Sequence, residues 1–310
     1  MNEAFKQHPI LMVAGPTAVG KTALAIELAK RYNGEIINAD SMQVYKELSI
    51  GTAKPTEAEQ AQVPHHLIDT HSFTEKYDMD QFKKEALQTI EELHENGKLP
   101  IIVGGSGLYL QSLIEDYQLG GFQKDPTFYK QWENRERQEI LNRLGLPEND
   151  ETPKRRLLRQ LEIKLAENTS DAAASKDKQL LHQTKGFVLT CERSVLYERI
   201  NHRVDLMITE GLLEEARMVY DWRQNHYQKG QIEPTALKAI GYKELFPYFE
   251  SKRTLEDCIL DLKQATRRYA KRQQTWFRNR MPYLTPVDLI TSSEGISHDD
   301  LYEAIHLFLN

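Results

Sequence analysis

Residues 15–22 read Gly15-Pro16-Thr17-Ala18-Val19-Gly20-Lys21-Thr22, a complete G-x-x-x-x-G-K-[ST] phosphate loop, and this segment dictates what must surround it. Such a loop works between a buried parallel strand and a helix. Ile10-Leu11-Met12-Val13-Ala14 supplies the apolar run before it, and Ala23 to Lys30 has helix-forming composition with an apolar face after it. Gly15 and Gly20 let the backbone turn its N–H groups toward an anion, and the helix N-terminus adds partial positive charge. Lys21 is placed to reach terminal phosphate oxygens, and the Thr22 hydroxyl to meet Mg²⁺. The motif specifies a polyphosphate site, but neither which polyphosphate nor whether it is hydrolysed.

Further along, strand-like and helix-like stretches alternate. Glu35 to Ala39 ends at Asp40, His66 to Asp69 reads as a short strand, Asp78 to Asn96 as a long amphipathic helix stopped by Gly97, and Pro100 to Val103 as a strand entering Gly104-Gly105-Ser106-Gly107. This βα alternation predicts an α/β fold of the phosphate-loop NTPase type, a parallel sheet core flanked by helices, with ligands at the carboxyl ends of the strands. Around Gly120-Gly121 the composition turns to Glu, Lys, Arg, Gln and Leu with few strand formers, before Phe187 to Thr190 returns as a strand. The expected organisation is therefore a first core segment over 1–121, a helical insertion domain over 122–185, and a second core segment with basic helices over 186–310.

The 310-residue chain is 40% hydrophobic and 28% charged, which is ordinary for a soluble globular protein. Its two cysteines, Cys191 and Cys258, form no C-x-x-C pattern, which excludes a zinc ribbon and fits a reducing compartment. No apolar run approaches a membrane span, and the polar start at Met1 to His8 offers no signal-peptide core, so a cytoplasmic protein without membrane contact is expected. A monomer is expected as well. A formal net charge of −6 disfavours nucleic acid, yet Lys263 to Arg280 carries seven basic and no acidic residues, with Tyr269, Trp276 and Phe277 interleaved. Lys154-Arg155-Arg156 with Arg159 forms a second basic cluster. Local basic fields recruit phosphate backbones whatever the total charge. Tyr269 and Trp276 read equally as stacking groups or as a core stripe.

Asp40 lies at the carboxyl end of the strand after the phosphate-loop helix, on the same sheet edge as the loop. From position alone its carboxylate reads equally as an Mg²⁺ ligand, a proton acceptor or a turn cap. What separates these readings is the sequence that follows: Asp40-Ser41-Met42-Gln43-Val44-Tyr45, then Ile50-Gly51-Thr52-Ala53-Lys54-Pro55. With the phosphate loop, Pro64 to Asp69, Gly104 to Tyr109, Arg156 to Glu162, Ile240-Gly241-Tyr242 and Lys271 to Arg278, these segments resemble the bacterial tRNA dimethylallyltransferases, in order and over most of the chain. A phosphate loop alone is shared by many functions; together with Asp-Ser-x-Gln-x-Tyr and Ile-Gly-Thr-Ala-Lys-Pro it is highly specific.

The resemblance implies transfer of a dimethylallyl group from dimethylallyl diphosphate to the exocyclic N6 of an adenosine immediately 3′ of the anticodon, with diphosphate leaving. The phosphate loop then grips the donor's diphosphate with Mg²⁺, and Asp40 accepts the N6 proton. Ser106 sits where the family has a small hydroxyl residue near the reacting groups, or else caps a turn. Arg217, on a helix from Glu210 to Tyr220, is expected to contact diphosphate, or else pairs with Glu214 or Glu215. The expected partner is the tRNA anticodon stem-loop. Asp40, Ser41, Met42, Gln43 and Ser106 are expected to meet the flipped base and its neighbours. Arg155, Arg156, Arg159, Lys238, Gly241, Tyr242, Lys243, Lys271, Arg272 and Arg278 are expected to hold the RNA. Neighbouring His65 and His66 point to opposite faces of a strand, which favours structural contacts over a metal pair. The competing functions are a phosphate-loop kinase, an adenylate isopentenyltransferase using a free mononucleotide, and an RNA-binding GTPase-like module, the last lacking an N-K-x-D guanine signature.

Overall fold

The computed structural model describes residues 8–114, 126–167, 183–227, 234–288 and 297–309. In chain order, β1 (Pro9–Ala14) leads through the phosphate loop into α1 (Lys21–Arg31) and β2 (Gly34–Asn38). Then come α2 (Glu57–Gln60), β3 (His65–His66), α3 (Met79–Glu95), β4 (Leu99–Gly104) and α4 (Gly107–Ile114). Three helices follow, α5 (Pro126–Trp132), α6 (Arg137–Leu144) and α7 (Lys154–Glu167). After β5 (Gln183–Thr190) come α8 (Arg193–Thr209), α9 (Leu212–His226), α10 (Phe246–Phe249), α11 (Leu255–Arg280), β6 (Thr285–Asp288) and α12 (His298–Leu309).

Among the described residues the strands form one six-stranded sheet in the order β3-β2-β4-β1-β5-β6, every pairing parallel. Its centre explains the unbroken apolar run before the phosphate loop. Ile10, Met12 and Ala14 of β1 join one buried cluster, whereas Leu11 and Val13 join another, so alternate side chains feed the two faces of the sheet. The first cluster takes Phe82, Ala86, Ile90 and Leu93 from α3 and Leu262 and Phe277 from α11; the second takes Leu24 and Leu28 from α1, Leu196 and Ile200 from α8, and Leu301 and Ile305 from α12. The expected parallel α/β architecture is what the chain forms.

Several expected boundaries move for local reasons. Asp78 lies just outside α3 and caps it, its carboxylate accepting the Gln81 N–H at 3.2 Å. The strand expected over 66–69 shrinks to His65–His66, because Leu67 and Asp69 adopt left-handed backbone angles of φ 59° and 56° that no ladder accommodates. The expected boundary at 185 falls within β5, whose pairing with β1 starts at Gln183, and that at 121 lies outside the described residues. The segment after Pro282 supplies edge strand β6 and α12.

The chain divides into two compact units, one formed by Met1–Glu115 with Leu180–Asn310 and the other by Asp116–Gln179. The smaller unit has its own core of Phe128, Ile140, Leu141, Leu157, Leu158 and Leu161. Among the described residues no helix is long and apolar enough to cross a membrane.

Candidate active site

The phosphate loop leaves the carboxyl end of β1 and closes on the N-terminus of α1. Gly20 takes φ 107°, which admits glycine and strains any other residue, and it sets the first α1 N–H groups toward the cavity in front of them. Val19 is buried beneath the loop in the core, so the loop meets ligands through its backbone and through its other side chains. Lys21 turns its ammonium back onto the Pro16 carbonyl at 2.8 Å. Thr17 is gripped twice: its N–H donates to Gln273 Oε1 at 2.9 Å, and its hydroxyl accepts a hydrogen bond from Arg203. Thr17, Ala18, Gly20, Lys21 and Thr22 line a cavity of about 290 Å³, together with Asp40, Gly105, Arg203 and apolar Ala25, Ile36 and Val103.

Asp40 follows β2 and is braced by Asn38, which accepts the Asp40 N–H at 3.2 Å while donating to the Leu67 carbonyl at 3.0 Å. One Asp40 oxygen accepts the Met42 N–H at 2.9 Å. Burial raises the Asp40 carboxyl above the usual range, opposed by that N–H bond and by the charge of Lys21. Burial pushes Lys21 down to about 8, with Asp40 pulling it up and Arg203 pushing it further down. Burial likewise lowers Arg203, to about 10, against the attraction of Asp40. The result is a desolvated carboxyl group electrostatically coupled to two desolvated basic groups, beside the phosphate loop.

A second cavity of about 280 Å³ opens on the other side of Asp40, lined by Ser41, Met42, Met207, Lys238, Gly241, Lys243, Tyr269 and Arg272 among others. Thr17, Asp40, Thr52, Ala53 and Arg203 line both cavities. One cavity thus has an anion cradle for a floor, the other a basic and aromatic rim, and Asp40 stands where they meet.

The Ile50 to Pro55 motif is the wall between them, and its residues explain how it is held. The Glu215 carboxylate accepts the N–H groups of Ser49, Ile50 and Gly51 at 2.9, 3.0 and 2.9 Å and the Tyr242 hydroxyl at 2.8 Å. Gln43 donates both amide hydrogens to the Thr52 and Ala53 carbonyls, at 3.1 and 3.0 Å. Lys54, buried, pairs with Asp69 and donates to the Tyr45 carbonyl at 2.7 Å.

Not every expected site residue arrives where the sequence suggested. Arg217 does not reach either cavity: it is half-exposed on α9, its guanidinium 4.0 Å from the Phe249 ring centroid and 4.0 Å from Asp221. Arg203, on the adjacent helix α8, is the arginine at the phosphate loop. Tyr242 is a core residue, fully buried with its hydroxyl spent on Glu215, and has no surface to offer RNA. Gln43 faces the first cavity with its donors already used, so it holds the wall. Ser106 lines neither cavity and accepts the Ser41 N–H at 3.3 Å. His65 lines the first cavity, its Nδ1 2.8 Å from the Val63 carbonyl, while His66 pairs with Glu35 at 2.7 Å.

Of the basic helix, Lys263 and Arg267 turn inward to Asp205 and Asn201, whereas Lys271, Arg272 and Arg278 are exposed. Its aromatics divide similarly: Tyr269 lines the second cavity and Trp276 packs into the core over Gly107. In the smaller unit, Arg156 is exposed on α7 and Arg159 pairs with buried Glu162 at 2.6 Å; the Arg155 side chain lies outside the described residues.

Two residues at the site do not stand out from sequence, Arg203 because it lies in no motif and Gln273 because the Lys271 to Arg278 segment around it reads by its basic residues. Arg203 follows Ile200 and precedes Val204 and Met207 on the buried side of α8. Gln273 occupies a buried register position of α11 between Ala270 and Phe277. The signal in both cases is a polar residue inside an apolar stripe. Among the described residues no group of three or more His, Cys, Asp or Glu side chains is placed to cage a metal. The Thr22 hydroxyl beside an anion cradle fits a hard cation that takes most of its ligands from phosphate and water, as Mg²⁺ does.

The chain is similar to known proteins over most of its length. The family model described as IPP transferase matches residues 43–280. A tRNA dimethylallyltransferase from Streptococcus pneumoniae serotype 2 (strain D39 / NCTC 7466) is 50% identical over 278 residues, spanning 88% of this chain and 90% of the relative. The crystal structure of the full-length tRNA isopentenylpyrophosphate transferase from Bacillus halodurans superposes with a TM-score of 0.70 at 38% identity, covering 98% of this chain and 96% of that one. A eukaryotic dimethylallyltransferase captured acting on tRNA gives a TM-score of 0.76 at 30% identity, over 91% of this chain and 74% of that one.

Proposed function

This chain belongs to the IPP transferase family of tRNA dimethylallyltransferases, and from that premise we propose how its site carries out the transfer. The enzyme is a transferase that moves a dimethylallyl group onto tRNA. The donor is dimethylallyl diphosphate, and the acceptor is the N6 amine of the adenosine immediately 3′ of the anticodon. The observation that carries this reading is the meeting of the two cavities at Asp40.

The donor's diphosphate lies on the phosphate loop, where Lys21, Arg203 and the loop N–H groups face it. The adenine, splayed from its stack, enters through the second cavity beside Met42 and Tyr269. As the donor C1–O bond breaks, its electrons go to the diphosphate, and the surrounding cations and N–H dipoles stabilise that charge without having to reorganise. The N6 lone pair forms the new bond to C1. Asp40 accepts the proton released from N6, and its raised pKa makes it a better base than an ordinary carboxylate. Diphosphate and prenylated tRNA are the products. Thr22 would hold Mg²⁺, which supplies charge neutralisation to the diphosphate oxygens when bound. Lys238, Lys243, Lys271, Arg272 and Arg278 hold RNA phosphates around the entrance, and Arg156 of the smaller unit is a further phosphate contact. The working state is a cytoplasmic monomer.

Incubation with labelled dimethylallyl diphosphate and unmodified tRNA, beside parallel AMP and ATP reactions, tests this. Label incorporated into tRNA with stoichiometric diphosphate release is the expected result. Label on AMP instead would make the enzyme an adenylate isopentenyltransferase, and ADP formed from ATP would make it a kinase.

A further inference from the structure

Gln273 is 5% exposed, and burying its carboxamide costs free energy unless both ends find partners. Both do: Oε1 accepts the Thr17 N–H at 2.9 Å and Nε2 donates to the Gly105 carbonyl at 3.0 Å. These partners lie on the loops that follow β1 and β4, neighbouring parallel strands whose carboxyl ends frame the diphosphate cavity. The Gly105 position is shaped to this contact, since a Cβ there would fall 2.2 Å from Gln273 Nε2. The Arg203 guanidinium holds the Thr17 hydroxyl independently, so the start of the phosphate loop is fixed through both its backbone and its side chain.

We infer that Gln273 is a positioning residue for the donor's diphosphate, clamping the Thr17 peptide to the Gly105 loop and so presetting the direction of the loop N–H groups that follow. The inference rests on the reading of that loop as a diphosphate cradle. Amides already aimed at the anion need no ordering when it binds, whereas a released loop must spend binding energy on its own arrangement. The clamp also comes from the helix that exposes Lys271, Arg272 and Arg278, so one element faces both substrates.

Two variants of the full chain test this: Gln273→Met, which keeps length but makes no hydrogen bond, and Gln273→Glu. A protonated glutamate reproduces both halves of the amide's pairing, accepting from Thr17 and donating to Gly105. An ionised one sets a carboxylate against the Gly105 carbonyl. The probes are calorimetric binding of inorganic diphosphate, steady-state kinetics, and tRNA binding measured separately, with thermal melts confirming folded protein. Gln273→Met is expected to weaken diphosphate binding and raise the donor KM by about tenfold, the cost of leaving the Thr17 N–H unpaired, with a clearly smaller loss of tRNA affinity, since the Tyr269 hydroxyl also pairs with Gln273. Gln273→Glu is expected to bind diphosphate near normally in acid and to lose it as pH rises, along a curve the unaltered enzyme lacks. Should Gln273→Met fail to fold, the Gln273→Glu profile decides alone. Unchanged diphosphate affinity in folded variants, an equal loss of tRNA affinity, or a Gln273→Glu profile parallel to that of the unaltered enzyme overturns the inference. If the unaltered enzyme itself ignores diphosphate, it is the donor reading that fails.

Discussion

The Tyr242 hydroxyl donates to Glu215 at 2.8 Å, and that carboxylate also gathers three consecutive N–H groups of the wall between the two cavities. Glu215 is thus a pin for the Ile50 to Pro55 segment. Removing it strands several donors, whereas Tyr242→Phe removes one partner and leaves three. Tyr242→Phe should cost roughly 1 kcal/mol in stability and leave tRNA affinity unaltered, and Glu215→Ala should cost more and raise the KM for both substrates. Thermal unfolding with steady-state kinetics checks both. A tRNA-binding defect in a stably folded Tyr242→Phe variant would restore the surface role that burial denies this residue.

Arg203 and Arg217 make an internal comparison, since one lines both cavities and the other stacks on Phe249. Arg203→Gln should lower kcat/KM for the donor by about 10²–10³, the usual cost of one preorganised group facing developing charge. Arg217→Gln should leave turnover intact and cost about 0.5–1 kcal/mol of stability through the lost ring contact. The reverse ranking in kinetic assays would return the diphosphate role to Arg217.

The shifted groups set the pH profile. Asp40 must be ionised to accept a proton, and its pKa is raised, so activity should begin to fall at a higher pH on the acid side than an ordinary carboxylate would give. Lys21 must be charged to hold diphosphate, and its pKa is lowered to about 8, so kcat/KM should decline above that value. The kcat profile should carry its alkaline limb higher, because bound diphosphate favours the charged lysine. A kcat/KM that keeps rising through pH 8 to about 10 would contradict the role of Lys21.

The exposed cations of α11 give a prediction in salt. Lys271→Ala, Arg272→Ala and Arg278→Ala should each weaken tRNA binding and flatten the slope of log K against log salt by about 0.7, the value for one single-strand phosphate contact. Binding titrations at several salt concentrations measure it; an unchanged slope removes that residue from the RNA interface. Lys263→Ala, whose ammonium is held by Asp205, should not change the slope.

The parallel sheet was legible because the phosphate loop demands a strand before it and a helix after it, and because α1 and α3, between β1 and β4, are long and regular. Asp40 was legible for a related reason: in a parallel sheet the segments that follow the strands share an edge, so Asp40 after β2 lies on the edge of the phosphate loop although β4 separates the two strands. The edge strand β6 was not, since four residues carry too little periodicity. Arg203, Gln273 and Glu215 were hidden because their roles depend on packing between segments far apart in sequence. Arg217 misled because a basic residue on a helix looks the same from sequence whether it faces a ligand or a phenylalanine. Gly105 and Gly107 stand in the sequence as part of the glycine-rich segment after a strand, yet each makes room for a side chain of α11, Gln273 and Trp276 respectively.

The central claim is that Asp40, placed between a diphosphate cradle and an adenine entrance, takes the N6 proton. Single-turnover transfer by Asp40→Asn, with donor and tRNA affinities measured on the same preparation, addresses it directly. The expected result is a rate lower by about 10²–10⁴ with both affinities essentially retained. Transfer at the unaltered rate, or a deficit traceable wholly to weaker binding of either substrate, would contradict it.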